Sequence, residues 1–159
     1  MPRSYKKTFK YSASRDKYSV EHKTGLVQVP ASPGQSDLII IPSTDIEGMR
    51  KVKHIIVQGS SGVAVAESVT GLFWALVYVP AGYSANLLQR MSTTNSLYEP
   101  NQNVLCAGVW DMNGGPLRVR SPVARNLNSG DSIHLLIAST NPNSAIDVSY
   151  YVQYAITLQ

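Results

Sequence analysis

A chain of 159 residues with 14 Lys and Arg against 10 Asp and Glu, 43% apolar and 15% charged, suits one folded domain and argues against several. Its single cysteine, Cys106, closes no intramolecular disulfide, which excludes a stapled secreted scaffold and sets the expectation of a reducing compartment. Apolar runs fall short of the ~20 residues of a membrane span, the first residues carry no secretory pattern, and no Asn-x-Ser/Thr sequon occurs.

The charge is unevenly placed. Seven basic residues, Arg3, Lys6, Lys7, Lys10, Arg15, Lys17 and Lys23, fall in the first 23 positions against Asp16 and Glu21, a net +5; residues 24–159 hold seven basic and eight acidic residues, a net −1. Residues 1–17 show no hydrophobic period and intersperse these charges with Tyr5, Phe9 and Tyr11, the pattern of a flexible basic arm ahead of a folded domain over 18–159.

Beyond the arm, apolar residues come in short runs separated by Gly, Pro, Asn and Ser, which predicts strands. Eight are expected: Tyr18–Val29, Leu38–Ile41, Met49–Gln58, Leu72–Val79, Asn103–Trp110, Leu117–Ser121, Ser132–Ser139 and Asp147–Leu158. Between the second and third, Thr44 with Glu47 suits the cap of a single helical turn before Gly48. In the third, Val52, His54 and Ile56 alternate with Lys51, Lys53 and Ile55, and Gly59-Ser60-Ser61-Gly62 reads as the turn that follows. The fourth is apolar at every position, so both its faces need a cover, either a neighbouring subunit or a long loop. Residues 81–102 make a connection long enough to carry function or contacts, with Ser84 suited to cap a short helical piece through Arg90. Asn113-Gly114-Gly115-Pro116 has the chemistry of a tight hairpin. In the last run Ile146, Val148, Tyr150, Val152, Tyr154, Ile156 and Leu158 share one face, a period that only a strand keeps together. The expectation is an all-β fold, an eight-stranded antiparallel jelly-roll or Greek-key sandwich.

Groups for chemistry are few. His22, His54 and His134 sit singly in strand-like runs with no metal-ligand spacing, and Cys106 lies between Leu105 and Ala107 as a buried thiol of raised pKa. Gly59-Ser60-Ser61-Gly62 matches neither a phosphate loop nor a nucleophile elbow, and Asp111, Asp45 and Glu47 read as turn and cap carboxylates. No catalytic residue, metal or cofactor is expected. The arm is different: Lys and Arg neutralise phosphates and release counterions while Tyr and Phe stack on bases, so Arg3, Tyr5, Lys6, Lys7, Phe9, Lys10, Arg15, Lys17 and Lys23 suit a single-stranded nucleic acid. Lys51 and Lys53, on one face of their strand, are candidates to add to it. Arg118 and Arg120 share a face too, where pairing with another subunit competes. Tyr83, Tyr98 and Trp110 are candidates for a sugar site or for subunit anchors.

Four segments carry a wider resemblance: Ser43-Thr-Asp-Ile-Glu-Gly-Met-Arg-Lys-Val-Lys-His54, Trp74-Ala-Leu-Val-Tyr-Val-Pro80, Ser96-Leu-Tyr-Glu-Pro-Asn-Gln-Asn103 and Leu117-Arg-Val-Arg-Ser-Pro-Val-Ala-Arg-Asn-Leu-Asn-Ser-Gly-Asp131. With the strands between them, the chain from about Lys17 resembles the capsid proteins of circovirus-like, Rep-encoding single-stranded DNA viruses. The resemblance implies an eight-stranded jelly roll, sixty copies in a T=1 icosahedral virion, assembly in the host nucleus, and an inward basic arm meeting the circular DNA. The family's arm is usually longer and Arg-dense; this one is short and Lys-rich. The alternative from the residues alone is an oligomeric β-sandwich module binding carbohydrate or nucleic acid. An enzyme on a cupin-like barrel lacks its histidine ligand cluster.

Overall fold

Short apolar runs punctuated by turn residues do fold as strands. The computed structural model describes residues 18–31, 34–61, 71–85, 103–139 and 145–158. These hold β1 (Ser19–Val29), β2 (Gln35–Ile41), β3 (Arg50–Ser61), β4 (Leu72–Val79), β5 (Asn103–Trp110), β6 (Leu117–Ser121), β7 (Arg125–Leu127), β8 (Ser132–Ser139) and β9 (Ile146–Leu158), with a single 3-10 turn at Met112–Gly114. All pairing is antiparallel. Sheet A has the order β1-β9-β3-β6, with β7 also on β3; sheet B has the order β2-β8-β4-β5. The chain passes back and forth between the sheets at almost every connection, and this interleaving is that of a jelly roll, as expected.

The two inner faces meet in one core. Val52, Ile55 and Val57 of β3, Leu117 and Val119 of β6 and Val148 and Val152 of β9 pack with Ile40, Leu72, Leu76, Leu135 and Ile137 of sheet B, all buried. Each such side chain contributes about 1.5–3 kcal/mol, and this burial holds the sandwich without a bridge. The long β9 lies between β1 and β3 and presents its expected apolar face, with Tyr150, Tyr154 and Ile156 half-buried at the rim. Close approach favours glycine at position 108, where a Cβ would stand 2.7 Å from the Trp74 indole.

Four details depart from expectation. The alternation of β3 breaks at His54, which takes a φ of 54°. Four residues on β3, from Lys53 to Ile56, stand against three on β9, from Ala155 to Gln153. The extra residue makes a bulge, so Ile55 faces the core fully buried and Ile56 faces outward with Lys51 and Lys53. Gly59, Ser60 and Ser61 are strand and not turn, because β9 continues the ladder to Val148 and β6 pairs Leu117 with Gly59. Asn113-Gly114-Gly115 joins β5 in sheet B to β6 in sheet A, a crossover and not a hairpin, with Gly115 at φ 103°. Residues 42–49 form no helix; the Thr44 hydroxyl accepts from the Ile46 N–H at 3.3 Å, capping a turn. The piece expected from Ser84 through Arg90 lies mostly outside the described residues.

Part of sheet B is apolar on both sides. Beyond the core, Ala75, Val77, Val79, Leu136 and Ala138 form a second buried cluster, packed by Phe73, Val104 and Ala85. Ala85 belongs to the connection after β4, so the chain itself supplies part of the cover.

Candidate nucleic-acid interface

Of the expected binding residues, Arg3, Tyr5, Lys6, Lys7, Phe9, Lys10, Arg15 and Lys17 lie outside the described residues. The remaining three are placed by strand register. Since Val52, Ile55 and Val57 point into the core, Lys51 and Lys53 project from the outer face of sheet A, Lys51 opposite Thr157 and Lys53 opposite Ala155 of β9. The Lys53 ammonium stands 3.5 Å from the centroid of the Tyr18 ring, a cation–π contact. Lys23 is set apart. It pairs with core-facing Val152, so it projects from the opposite side of sheet A, and its Nζ donates to the Ile39 carbonyl at 2.8 Å, joining the two sheets at the sandwich edge.

Arg118 and Arg120 join Lys51 and Lys53. In β6 buried Leu117, Val119 and Ser121 alternate with these exposed arginines, which pair with Gln58 and Ile56 on the outer face. On the same face His22 Nδ1 is 2.6 Å from the Tyr151 hydroxyl, their ring centroids are 5.8 Å apart, and that hydroxyl donates to Gln153 Oε1 at 3.2 Å. Beside Tyr151 an open cleft of about 320 Å³ is lined by Gln58, Ser60, Ser149 and Pro116 among others.

Two polar clusters lie elsewhere. At one end of the sandwich the Asp131 carboxylate accepts from the Tyr78 hydroxyl at 2.7 Å, the Ala81 N–H at 3.0 Å and the Asn128 N–H at 2.7 Å. Its carbonyl takes a hydrogen bond from buried Arg50, which also reaches the Pro42 carbonyl. Burial pushes the Asp131 carboxyl upward, but the bonds from Tyr78, Asn128 and Ala81 outweigh it and hold the group below the usual carboxylate range. Burial first, and then Asp131, pushes the Tyr78 phenol up, against the pull of Arg125, whose guanidinium lies 4.4 Å from the ring centroid.

On the outer face of sheet B, Ser132 Oγ lies 2.9 Å from His134 Nε2, and His134 Nδ1 lies 2.7 Å from Asp37 Oδ1. These are the group types of a nucleophile relay, but Ser132 is only 7% exposed and His134 9%. The sequence carries a Ser-x-His spacing on one strand; Asp37 comes from 97 positions away, and only the β2–β8 register brings it in. Cys106 pairs with Leu76 and packs against the core, where burial raises its thiol pKa, as expected. Trp110 is buried with its Nε1 donating to the Gly115 carbonyl at 2.7 Å, while exposed Tyr83 sits beyond the other end of β4, so these two form no shared sugar platform. Tyr98 lies outside the described residues. Among the described residues no group of three His, Cys, Asp or Glu is placed to hold a metal ion, and no helix is long and apolar enough to cross a membrane.

No family model and no curated protein matches the chain. Among solved structures it is similar to a point mutant of the VP2 protein of infectious bursal disease virus, in derived T=1 particles, at 13% identity and a TM-score of 0.26. That superposition covers 100% of this chain and 49% of the other, so this chain spans about half its length. A likeness this slight carries no functional assignment.

Proposed function

We propose that the chain is a viral capsid protein that self-assembles into a small T=1 icosahedral shell and packages circular single-stranded DNA through its basic N-terminal arm. The observation that carries the shell is the jelly-roll interleaving of β1-β9-β3-β6 with β2-β8-β4-β5, in a chain whose segments resemble circovirus-like capsid proteins. The +5 of the first 23 residues against a −1 remainder supports a tether to a polyanion on one side of such a shell. Lys51 and Lys53 add to it. On this reading the virion is the protein's final location, the host nucleus is where it assembles, and its partners are further copies of itself and the genome.

The role is structural, with no catalytic step. The sealed position of Ser132 supports this, because a nucleophile relay needs its hydroxyl open to substrate. Purified full-length protein is expected to form closed particles by negative-stain microscopy, with an ultraviolet absorbance ratio that reports nucleic acid inside. A species that stays monomeric at high concentration across salt conditions refutes the shell; particles with a protein-only spectrum refute the packaging.

A further inference from the structure

The near-neutral domain is not neutral on every side. With β9 as a ruler, Lys51 lies level with Thr157, Lys53 with Ala155, Arg120 with Gln153 through Ile56, and Arg118 with Tyr151 through Gln58. The bulge at His54 is what brings the two arginines into step with the two lysines. Four cations thus occupy four successive levels of one sheet face, about 6.6–6.8 Å apart and about 20 Å from end to end. Among the described strand residues of that face the one acid is Asp147, beyond the end of the row and accepting from Gln28 Nε2 at 3.2 Å. Alongside the cations, on β1 and β9, stand the rings of His22 and Tyr151, and the open cleft with the Gln58 amide and the Ser60 and Ser149 hydroxyls adjoins Tyr151.

We propose that the outer face of sheet A is a binding track for an extended single strand of nucleic acid. Lys51, Lys53, Arg120 and Arg118 take successive phosphates, bases stack at His22 and Tyr151, and the cleft receives a base edge. A single strand suits this face better than a duplex, which hides its bases from the rings and curves its phosphates away from a row. It suits it better than an acidic peptide, which would match the charges and leave the rings and the cleft unused. The track deepens the nucleic-acid half of the proposed function and rests on it, while being independent of the shell. On each subunit it sets Arg118 and Arg120 beside Lys51 and Lys53 as cations available to the genome in addition to the arm, and in a closed particle it places this face of the sandwich toward the inside.

The test is fluorescence anisotropy of a labelled oligothymidylate with full-length protein across a salt titration. Changing Lys51, Lys53, Arg118 and Arg120 together to Gln is expected to lower the log–log salt slope by about 2.8, at ~0.7 per neutralised phosphate. Arg118→Lys with Arg120→Lys keeps the slope. Tyr151→Ala keeps it too but weakens binding roughly 5- to 150-fold, the loss of one stacked base, whereas Tyr151→Phe binds as the parent does. In parallel, Lys6, Lys7 and Lys10 are changed to Gln. If the four-residue variant keeps parental slope and affinity while the arm variant loses both, the track is overturned and the arm stands. If the arm variant binds normally and the four-residue variant does not, the track stands and the arm reading fails. A four-residue variant that binds as the parent does but no longer forms particles overturns the track by assigning the cations to contacts between copies.

Discussion

Replacing Asp131 should remove the fastener that joins the turn before β8 to the end of β4. The carboxylate is 3% exposed and accepts three hydrogen bonds, from Tyr78, Ala81 and Asn128. Bonds to a charged group contribute about 1.5–3 kcal/mol each, and a donor stranded without a partner costs about 1–3 kcal/mol. Because the three bonds share one acceptor group, they do not add fully, and Asp131→Ala is expected to cost about 3–5 kcal/mol. At roughly 2–4 °C per kcal/mol for a domain of this size, the melting temperature falls by about 6–20 °C. Asp131→Asn keeps the volume but sets an amide N–H against at least one donor, for about 2–3 kcal/mol. The pH dependence has a definite sign. The folded carboxyl titrates below its unfolded value near ~3.9, so its contribution is fully present above that pH and is lost as the pH falls through the folded value. The gap between parent and Asn variant, followed by tryptophan fluorescence and circular dichroism, should therefore narrow on acidification below about pH 4. An Ala variant that melts within a degree or two of the parent at neutral pH refutes the reasoning, as does a gap that persists unchanged into strong acid.

Two further outcomes are expected. Gly108→Ala forces a methyl within 2.7 Å of the Trp74 ring, and such overpacking costs about 1–3 kcal/mol; a lowered melting temperature together with a shifted Trp emission checks it, and parental values for both count against the contact. A fluorophosphonate probe should leave native Ser132 unlabelled, because the hydroxyl that meets His134 is buried; stoichiometric labelling abolished by His134→Ala would reveal a working nucleophile.

What the sequence discloses follows the range of the interactions. The bounds of β4, β5, β6 and β8 are set by local apolar runs and agree residue for residue with the structure. The three residues of β7 carry no period of their own and are a strand only because β3 offers Arg50 to Val52 as partners. The bulge at His54 had a trace in the consecutive apolar residues Ile55-Ile56-Val57, which no strict alternation contains. Lys51 and Lys53 share a face by simple counting. That Arg118 and Arg120 continue their row depends on the β3–β6 register, which pairs Gln58 with Arg118 and Ile56 with Arg120, and on the one-residue shift at the bulge. Asp131 is likewise opaque from the sequence, since Tyr78 and Ala81 lie 53 and 50 positions away. The pattern is general: composition and period report what each strand wants, whereas a site is a set of coincidences between strands.

The bulge has one more consequence. With His54 removed, Lys51, Val52, Lys53, Ile55, Ile56 and Val57 would alternate outward and inward without interruption, so the extra residue absorbs a change of length and leaves every side chain on its own side. Position 54 is therefore where this strand could gain or lose one residue in descent without exchanging its dry and wet faces. Homologous chains compared by counting alternate positions across it would have every later face assigned backwards.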